Sequence, residues 1–190
     1  KPLVSICVPV YNGARTIART LATIVAQTYS PVEIIIGDNA STDETPGIIQ
    51  EFAEKHPIRY ARNEEMTSGE DNWKRLAGLA KGELVCVYHA DDLYDPTIVE
   101  KCVDAFMANE RIGVVFTMAR VINDMDQQIG SYHLPKELKR SAKGGYGFDD
   151  VFSLILKYSN SFLVCPSAMF RKKVFEVCGG WEFEKYKTAS

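Results

Sequence analysis

Several features that would place a chain in a functional class are missing from this 190-residue sequence. No apolar run approaches the roughly 20 residues that a helix needs to cross a bilayer. Lysine and arginine number 22 against 25 aspartate and glutamate residues, and the formal net charge of -3 argues against a general nucleic-acid binder. Five cysteines, an odd number with no Cys-x-x-Cys pair, favour a reducing, cytoplasmic setting over a disulfide framework. What remains is a globular chain, long enough for one domain with a sizeable core.

The two ends of the sequence predict a fragment. The chain begins at Lys1 without a methionine, and it stops at Ser190 without a stop signal. We therefore expect a piece of a longer protein. That protein would be cytoplasmic, or held at the inner face of the membrane by segments outside this chain.

Apolar runs of strand length alternate with apolar stripes of helical period along most of the chain. The predicted strands are Leu3–Val8, Val32–Ile36, Ile58–Ala61, Glu83–Tyr88 and Gly113–Ile122. Helical stripes start at Ile17, Ile48, Trp73 and Ile98. Alternation with short loops is typical of βαβ units, so we predict an α/β fold with a mainly parallel sheet.

Three local signals refine this prediction. Ser41 and Glu44 have the spacing of a capping box for the second helix, and Thr45-Pro46 offers an alternative start. Gly82 occupies the place of a glycine that stops the third helix. Pro166 separates two extended stretches, which argues against a central strand in that region.

Polar side chains follow three of the predicted strands, at the points where the strands end. They are Tyr11-Asn12, Asp38-Asn39 and Asp91-Asp92. Ligands of open α/β sheets bind outside the carboxyl ends of the strands, where these loops would converge.

The adjacent carboxylates of Asp91 and Asp92 repel each other unless a cation or hydrogen-bond donors lie nearby. Oxygen ligands of this kind suit Mg²⁺ or Mn²⁺ bound together with substrate phosphates. The alternative is a capped turn that leads into the helix opened by Asp95-Pro96. The spacing of these residues alone leaves both interpretations open.

The pattern changes after Ile122. Asn123–Asp126 has the composition of a turn inside a hairpin. The stretch from His133 to Gly147 is basic and rich in glycine, and would form either a flap over phosphates or a solvated loop. We favour the solvated loop, because such stretches are usually flexible.

Taken together, these residues resemble the family 2 glycosyltransferases, an inverting group with the GT-A fold. The matching blocks are Val8-Pro9-Val10-Tyr11-Asn12, Asp38-Asn39-Ala40-Ser41-Thr42-Asp43, Asn72-Trp73, Ala80-Lys81-Gly82-Glu83, His89-Ala90-Asp91-Asp92, Phe170-Arg171 and Gly179-Gly180-Trp181. The resemblance implies one domain over residues 1–190, with a Rossmann-like sheet that carries helices on both faces. Residues 1–122 would bind the donor, and residues 123–190 would form an incomplete acceptor part.

The resemblance also implies a reaction and its ligands. The donor would be a nucleotide sugar, with a UDP-sugar favoured, and the acceptor a hydroxyl of a saccharide or lipid-linked molecule. Asp91 and Asp92 would hold Mg²⁺ or Mn²⁺ against the diphosphate. The donor-binding residues implied by the matching blocks are Pro9, Val10, Tyr11, Asn12, Asp38, Asn72, His89 and Asp91. Among them, Asp38 would accept a hydrogen bond from the base, unless it only shapes a turn before the helix.

Two positions depart from the family pattern. His89 stands where many members carry the first aspartate of the metal motif, so it would pack, contact the ribose or, with lower preference, ligate the metal. The catalytic base of the family follows the Gly-Gly-aromatic block, and we expect it beyond Ser190. Glu182 and Glu184 are weak candidates within the chain.

Two other functions remain open. A sugar-nucleotidyltransferase would carry a basic, glycine-rich loop after the first strand, but residues 11–15 contain only Gly13. A domain that binds a nucleotide sugar without catalysis agrees with the missing base.

Overall fold

A six-stranded sheet forms the centre of the computed structural model, which describes residues 1–138, 145–159 and 162–177. The strands of the chain are Val4–Val10 (β1), Val32–Asp38 (β2), Ile58–Arg62 (β3), Leu84–Val87 (β4), Val114–Val115 (β5), Arg120–Ile122 (β6), Gln128–Ser131 (β7) and Met169–Arg171 (β8). The order across the sheet is β3-β2-β1-β4-β8-β5. The first four strands run parallel, and β8 runs antiparallel to both of its neighbours. The predicted mainly parallel α/β sheet is confirmed.

The helices of the described residues are Ile17–Val25 (α1), Thr45–Lys55 (α2), Gly69–Leu79 (α3), Ile98–Ala108 (α4), Phe148–Tyr158 (α5) and Lys172–Val177 (α6). Helices α1 to α4 pack on the two faces of this sheet, whereas α5 packs in a separate apolar cluster with Leu138 and Phe162. Successive side chains of β1 point to opposite faces, as the pleat requires. Ile6 and Val8 join the apolar cluster that α1, α2 and α4 complete, whereas Cys7 packs with Leu76 of α3. No helix within the described ranges is both long and apolar enough to span a membrane.

Two glycines allow close approach between elements. A Cβ at Gly37 would lie 2.6 Å from the Leu76 side chain, so the glycine lets α3 approach β2. A Cβ at Gly82 would lie 2.6 Å from Ser5 Oγ and 2.7 Å from the Leu3 carbonyl oxygen. The prediction that Gly82 stops α3 is wrong, because the helix ends at Leu79 and extended backbone follows at Ala80.

The predicted start of α2 by a capping box is also wrong, and the alternative is confirmed. The helix begins at Thr45 with Pro46 in its first turn. Asp43 Oδ1 accepts the Thr45 N–H at 3.0 Å, which satisfies one of the free donors at the helix start.

Two predictions about strands fail in the second half of the chain. The predicted strand Gly113–Ile122 divides into β5 and β6, which belong to different sheets, because the chain turns away where Thr117 bonds Ser167 Oγ. The prediction from Pro166 fails as well, since β8 lies inside the sheet and the proline falls in a 3₁₀ turn just before it. The predicted hairpin turn at Asn123–Asp126 is confirmed between β6 and β7.

Candidate functional site

The loops after β1 and β2 are joined through Asn12. Its backbone N–H donates to Ser41 Oγ at 2.9 Å, and its side-chain oxygen accepts the Thr42 N–H at 2.8 Å. Asn12 adopts a φ of 49°, in the left-handed region that asparagine tolerates better than most residues. The two strand ends therefore form one rigid edge.

A cleft of about 660 Å³ lies between the end of β1 and the end of β4. Its walls come from the loops after the two strands and from the hairpin, and include Pro9, Val10, Tyr11, Asn12, His89, Asp91 and Asp124. Tyr11 is half exposed in this cleft. The structure thus brings six of the predicted donor-binding residues to a single opening.

His89, Asp91 and Asp92 form a compact group at this opening, which we call the acidic corner. One ligand atom from each lies within 4.8 Å of the others, and His89 Nδ1 is 3.8 Å from Asp92 Oδ2. Burial first, and then the charge of Asp91, raise the pKa of Asp92, whereas His89 opposes that rise. Two carboxylates and an imidazole at this spacing fit a divalent cation.

The imidazole of His89 is not a core side chain. It is 43% exposed and lines both clefts of the site. This exposure favours contact with the donor or with the metal over packing, and the three roles that the sequence left open stay predictions.

Asp38 is a fully buried carboxylate in the framework below the cleft. Oδ1 accepts the Ser41 N–H at 2.8 Å, and Oδ2 accepts from the Tyr60 hydroxyl at 2.7 Å and from Arg62 at 2.6 Å. Burial raises the pKa of Asp38, but hydrogen bonds from the side chain and backbone of Ser41, from Tyr60 and from Arg62 together outweigh burial and hold the pKa below its usual value. Burial and the bond to Asp38 raise the pKa of Tyr60 to about 12.

This arrangement does not favour the contact predicted between Asp38 and a base, which stays a prediction. The carboxylate has no exposed surface from which to meet a base. Arg62, whose side chain is 40% exposed, is the charged partner that solvent reaches. Sequence reasoning missed Arg62, although the register of the sheet places it directly opposite Asp38 at the end of β3.

Asn72 likewise lies behind the site and does not face the cleft. Its side-chain amide is buried and donates to the Gly37 carbonyl oxygen at 2.8 Å. Asn72 therefore braces the end of β2 from α3, and its contact with the donor stays a prediction.

A larger cleft of about 1670 Å³ opens on the other side of the acidic corner. The hairpin supplies Arg120 and Asp126, and the segment around the 3₁₀ turn supplies Val164 and Cys165. The candidate bases Glu182 and Glu184, the Gly179-Gly180-Trp181 block and Ser190 lie outside the described residues, as do residues 139–144 of the basic stretch.

Comparison with known proteins identifies the family. The family model described as glycosyl transferase family 2 matches residues 5–179. The chain belongs to this family. This family 2 chain is 27% identical over 176 residues to an uncharacterized glycosyltransferase of Nostoc sp., across 91% of the chain and 52% of that relative.

Two solved structures share the fold of this glycosyltransferase family chain. TarS of S. aureus in complex with UDP-GlcNAc gives a TM-score of 0.73 at 16% identity, over 93% of the chain and 47% of TarS. A mannosyltransferase of Pyrobaculum calidifontis in complex with GDP-Man and Mn²⁺ gives 0.66 at 24% identity, over 95% of the chain and 47% of that protein. These likenesses establish the GT-A fold. The chain spans about half the length of each of these proteins.

Proposed function

We propose that this domain transfers a sugar from a nucleotide-sugar donor to an acceptor hydroxyl, with inversion and with a divalent cation on the diphosphate. The observation that carries the proposal is the acidic corner at the mouth of the cleft between β1 and β4. Membership of family 2 supports the reaction class. TarS and the mannosyltransferase, which share the fold, were solved with UDP-GlcNAc and GDP-Man respectively.

Different residues at this edge of the sheet would contact different parts of the donor. Pro9, Val10 and Tyr11 would line the nucleoside, and we infer a UDP-sugar as donor. Arg62, which pairs with Asp38 and is 40% exposed, offers a charged group beside the end of β2 that a donor could contact in place of the buried Asp38. Tyr11 offers an exposed aromatic face on which a base can stack.

Asp91 and Asp92 would hold the cation, with His89 as a third ligand. A divalent cation at this place supplies Lewis-acid stabilisation to a leaving diphosphate. An imidazole nitrogen in the ligand set favours Mn²⁺ over Mg²⁺, because Mg²⁺ prefers oxygen. Mn²⁺ is also the ion in the mannosyltransferase structure.

The acceptor would enter through the larger cleft, which shares the acidic corner with the donor cleft. We infer a saccharide or lipid-linked acceptor. Inversion in one step requires a base that takes the proton of the attacking hydroxyl. We place that base outside the described residues, beyond Ser190 or at Glu182 or Glu184.

Donor hydrolysis and sugar transfer by the full-length protein test the proposal. A panel of UDP- and GDP-sugars is assayed with Mn²⁺, with Mg²⁺ and with EDTA. We expect Asp91→Ala and Asp92→Ala to lower metal-dependent turnover at least 100-fold. Asp104→Ala is the control, since this exposed carboxylate of α4 lines neither cleft.

Three outcomes would count against the proposal. Metal-independent turnover that survives Asp91→Ala would remove the role of the acidic corner. Release of pyrophosphate from a nucleoside triphosphate would indicate a nucleotidyltransferase. Calorimetric binding of UDP without turnover by the full-length protein would indicate a binding domain.

A further inference from the structure

The loop between β4 and α4 carries the acidic corner and is closed by one side-chain hydroxyl. The His89 N–H donates to Tyr94 Oη at 2.7 Å, and the same hydroxyl lies 3.4 Å from the His89 carbonyl oxygen. Tyr94 therefore bonds both backbone groups of His89, the first residue of the acidic corner. Asp91 and Asp92 lie within the closed turn.

The Tyr94 ring is itself firmly held. It is 6% exposed and stacks on Tyr88, with ring centroids 3.7 Å apart and an interplanar angle of 8°. Tyr88 is almost completely buried in the main apolar cluster. The hydroxyl of Tyr94 is thus presented to His89 from the rigid core.

Polar side chains of α1 fix the same loop on both sides of the two carboxylates. Thr20 Oγ1 donates to the Ala90 carbonyl oxygen at 2.9 Å, and the Tyr94 N–H donates to Thr23 Oγ1 at 3.2 Å. Gln27 Nε2 donates to the Asp95 carbonyl oxygen at 3.0 Å. Thr20 and Thr23 lie in α1 and Gln27 follows its end, so α1 and the residues just after it hold the loop along its length.

We propose that Tyr94 is a positioning residue whose hydroxyl fixes the His89 backbone and thereby sets the spacing of the His89, Asp91 and Asp92 side chains for a divalent cation. The proposal rests on the proposed function for the presence of the cation. The hydrogen bonds and the stacked rings support the claim that Tyr94 fixes the His89 backbone. Groups that orient metal ligands typically change metal affinity 10- to 100-fold when they are removed.

Tyr94→Phe removes the hydroxyl and keeps the stacked ring. Tyr29→Phe is a matched control, because Tyr29 is also 6% exposed and its hydroxyl bonds a backbone carbonyl, that of Pro2, at 2.7 Å. Mn²⁺ alone is titrated into each purified protein, and free Mn²⁺ is followed by its EPR signal. Exchange of the His89 amide hydrogen is measured by NMR without metal.

We expect Tyr94→Phe to bind Mn²⁺ about tenfold more weakly and to exchange the His89 amide faster, with no change of either in Tyr29→Phe. Thr23→Val, which loses the bond to the Tyr94 N–H, should weaken Mn²⁺ binding by a smaller factor. It also supplies a second test if Tyr94→Phe folds poorly. Urea unfolding of all four proteins separates positioning from loss of stability.

Unchanged Mn²⁺ affinity and unchanged His89 exchange in Tyr94→Phe would overturn the proposal, as would equal losses in Tyr29→Phe. A wild-type protein that binds no Mn²⁺ would count against the proposed function instead. Exchange of the His89 amide in Tyr94→Phe then decides by itself whether the hydroxyl fixes this turn.

Discussion

Asp38 is a charged side chain without exposed surface, and donors from three other residues surround its two oxygens. A buried charge of this kind is tolerated because Arg62 and the hydrogen bonds compensate for the lost hydration. Its contribution to stability therefore depends on its staying ionised.

Asp38 should make the stability of the protein sensitive to acid. Since its pKa in the folded state lies below the ordinary value of 3.8, its contribution is complete above that value and is lost as the pH falls through the folded-state pKa. We expect Asp38→Asn to lower the free energy of unfolding at pH 7 by about 2 kcal/mol. The variant should also show a smaller decrease in the free energy of unfolding than the wild type as the pH falls through the wild type's acid transition. Urea unfolding between pH 7 and pH 3 measures both effects.

Tyr60→Phe is the companion variant, because it removes one donor and leaves the carboxylate paired with Arg62. It should give a smaller loss of the same sign. An Asp38→Asn protein as stable as the wild type at pH 7 would contradict this account.

His89 should influence which metal the acidic corner prefers. Replacing the imidazole with a carboxylate in His89→Asp makes the ligand set all oxygen, so the ratio of Mn²⁺ to Mg²⁺ affinity should fall several-fold. Competition between the two ions in a calorimetric titration gives the ratio. An unchanged ratio would show that His89 is not a ligand.

At the scale of residues, the sequence predicted those site residues whose location depends only on where one strand ends. Tyr11, Asp91 and Asp92 follow apolar runs directly, and the structure places all three at a cleft. The burial of Asp38 could not be predicted in the same way. It depends on Tyr60 and Arg62, which meet Asp38 only through the register between β2 and β3.

Among the elements, the contact between β1 and the segment after α3 depends on a glycine. Gly82→Ala would place a methyl group 2.7 Å from the backbone of Leu3 and Ser5, and backbone cannot move aside easily. We expect a loss of about 2 kcal/mol or more. Chemical denaturation provides the measurement.

The control for that substitution is Gly78→Ala on the exposed side of α3, where nothing lies within 4 Å of the added methyl group. This change should stabilise the helix by about 0.5–1 kcal/mol. Equal effects of the two substitutions would contradict the role assigned to Gly82.

The hairpin of β6 and β7 is tied to α1 by an ion pair between Arg19 and Asp126, 2.5 Å apart and exposed on both sides. Exposed pairs contribute less than about 1 kcal/mol, so Arg19→Ala should leave overall stability almost unchanged. Hydrogen exchange in residues 120–131 should nevertheless become faster, because the hairpin loses an anchor. A large loss of overall stability would show that the pair contributes more than its exposure suggests.

At the scale of elements, periodicity found the alternating strands and helices up to α4. It failed at Gly113–Ile122 because the run contains apolar residues throughout, and nothing local marks the point where the chain leaves one sheet for another. Hydrophobic periodicity could not predict the position of β8 either, because the partners of a three-residue strand are set by the tertiary fold.

For the whole molecule, ligand binding should be visible as stabilisation. UDP with Mn²⁺ at 100 times its dissociation constant should raise the free energy of unfolding by about 2.7 kcal/mol. EDTA and Asp91→Ala should each remove most of this gain, which a thermal melt detects. An equal gain from UDP without metal would contradict the role of the acidic corner.

The division of the chain into a donor part, residues 1–122, and an acceptor part, residues 123–190, stays a prediction. The larger cleft draws its lining from both sides of that boundary, with Asp91 on one side and Cys165 on the other. Transfer to an acceptor is therefore best tested on the full-length protein, because this chain spans about half of its relatives.

The place of β8 in the sheet has a consequence for biosynthesis. Met169–Arg171 pairs with β4 along the edge opposite β1, yet it is translated 82 residues after Val87. At 5–20 residues per second, the ribosome needs roughly 4 to 16 seconds to supply it. During that interval the nascent polypeptide exposes an unpaired apolar strand, a surface that chaperones bind and that promotes aggregation.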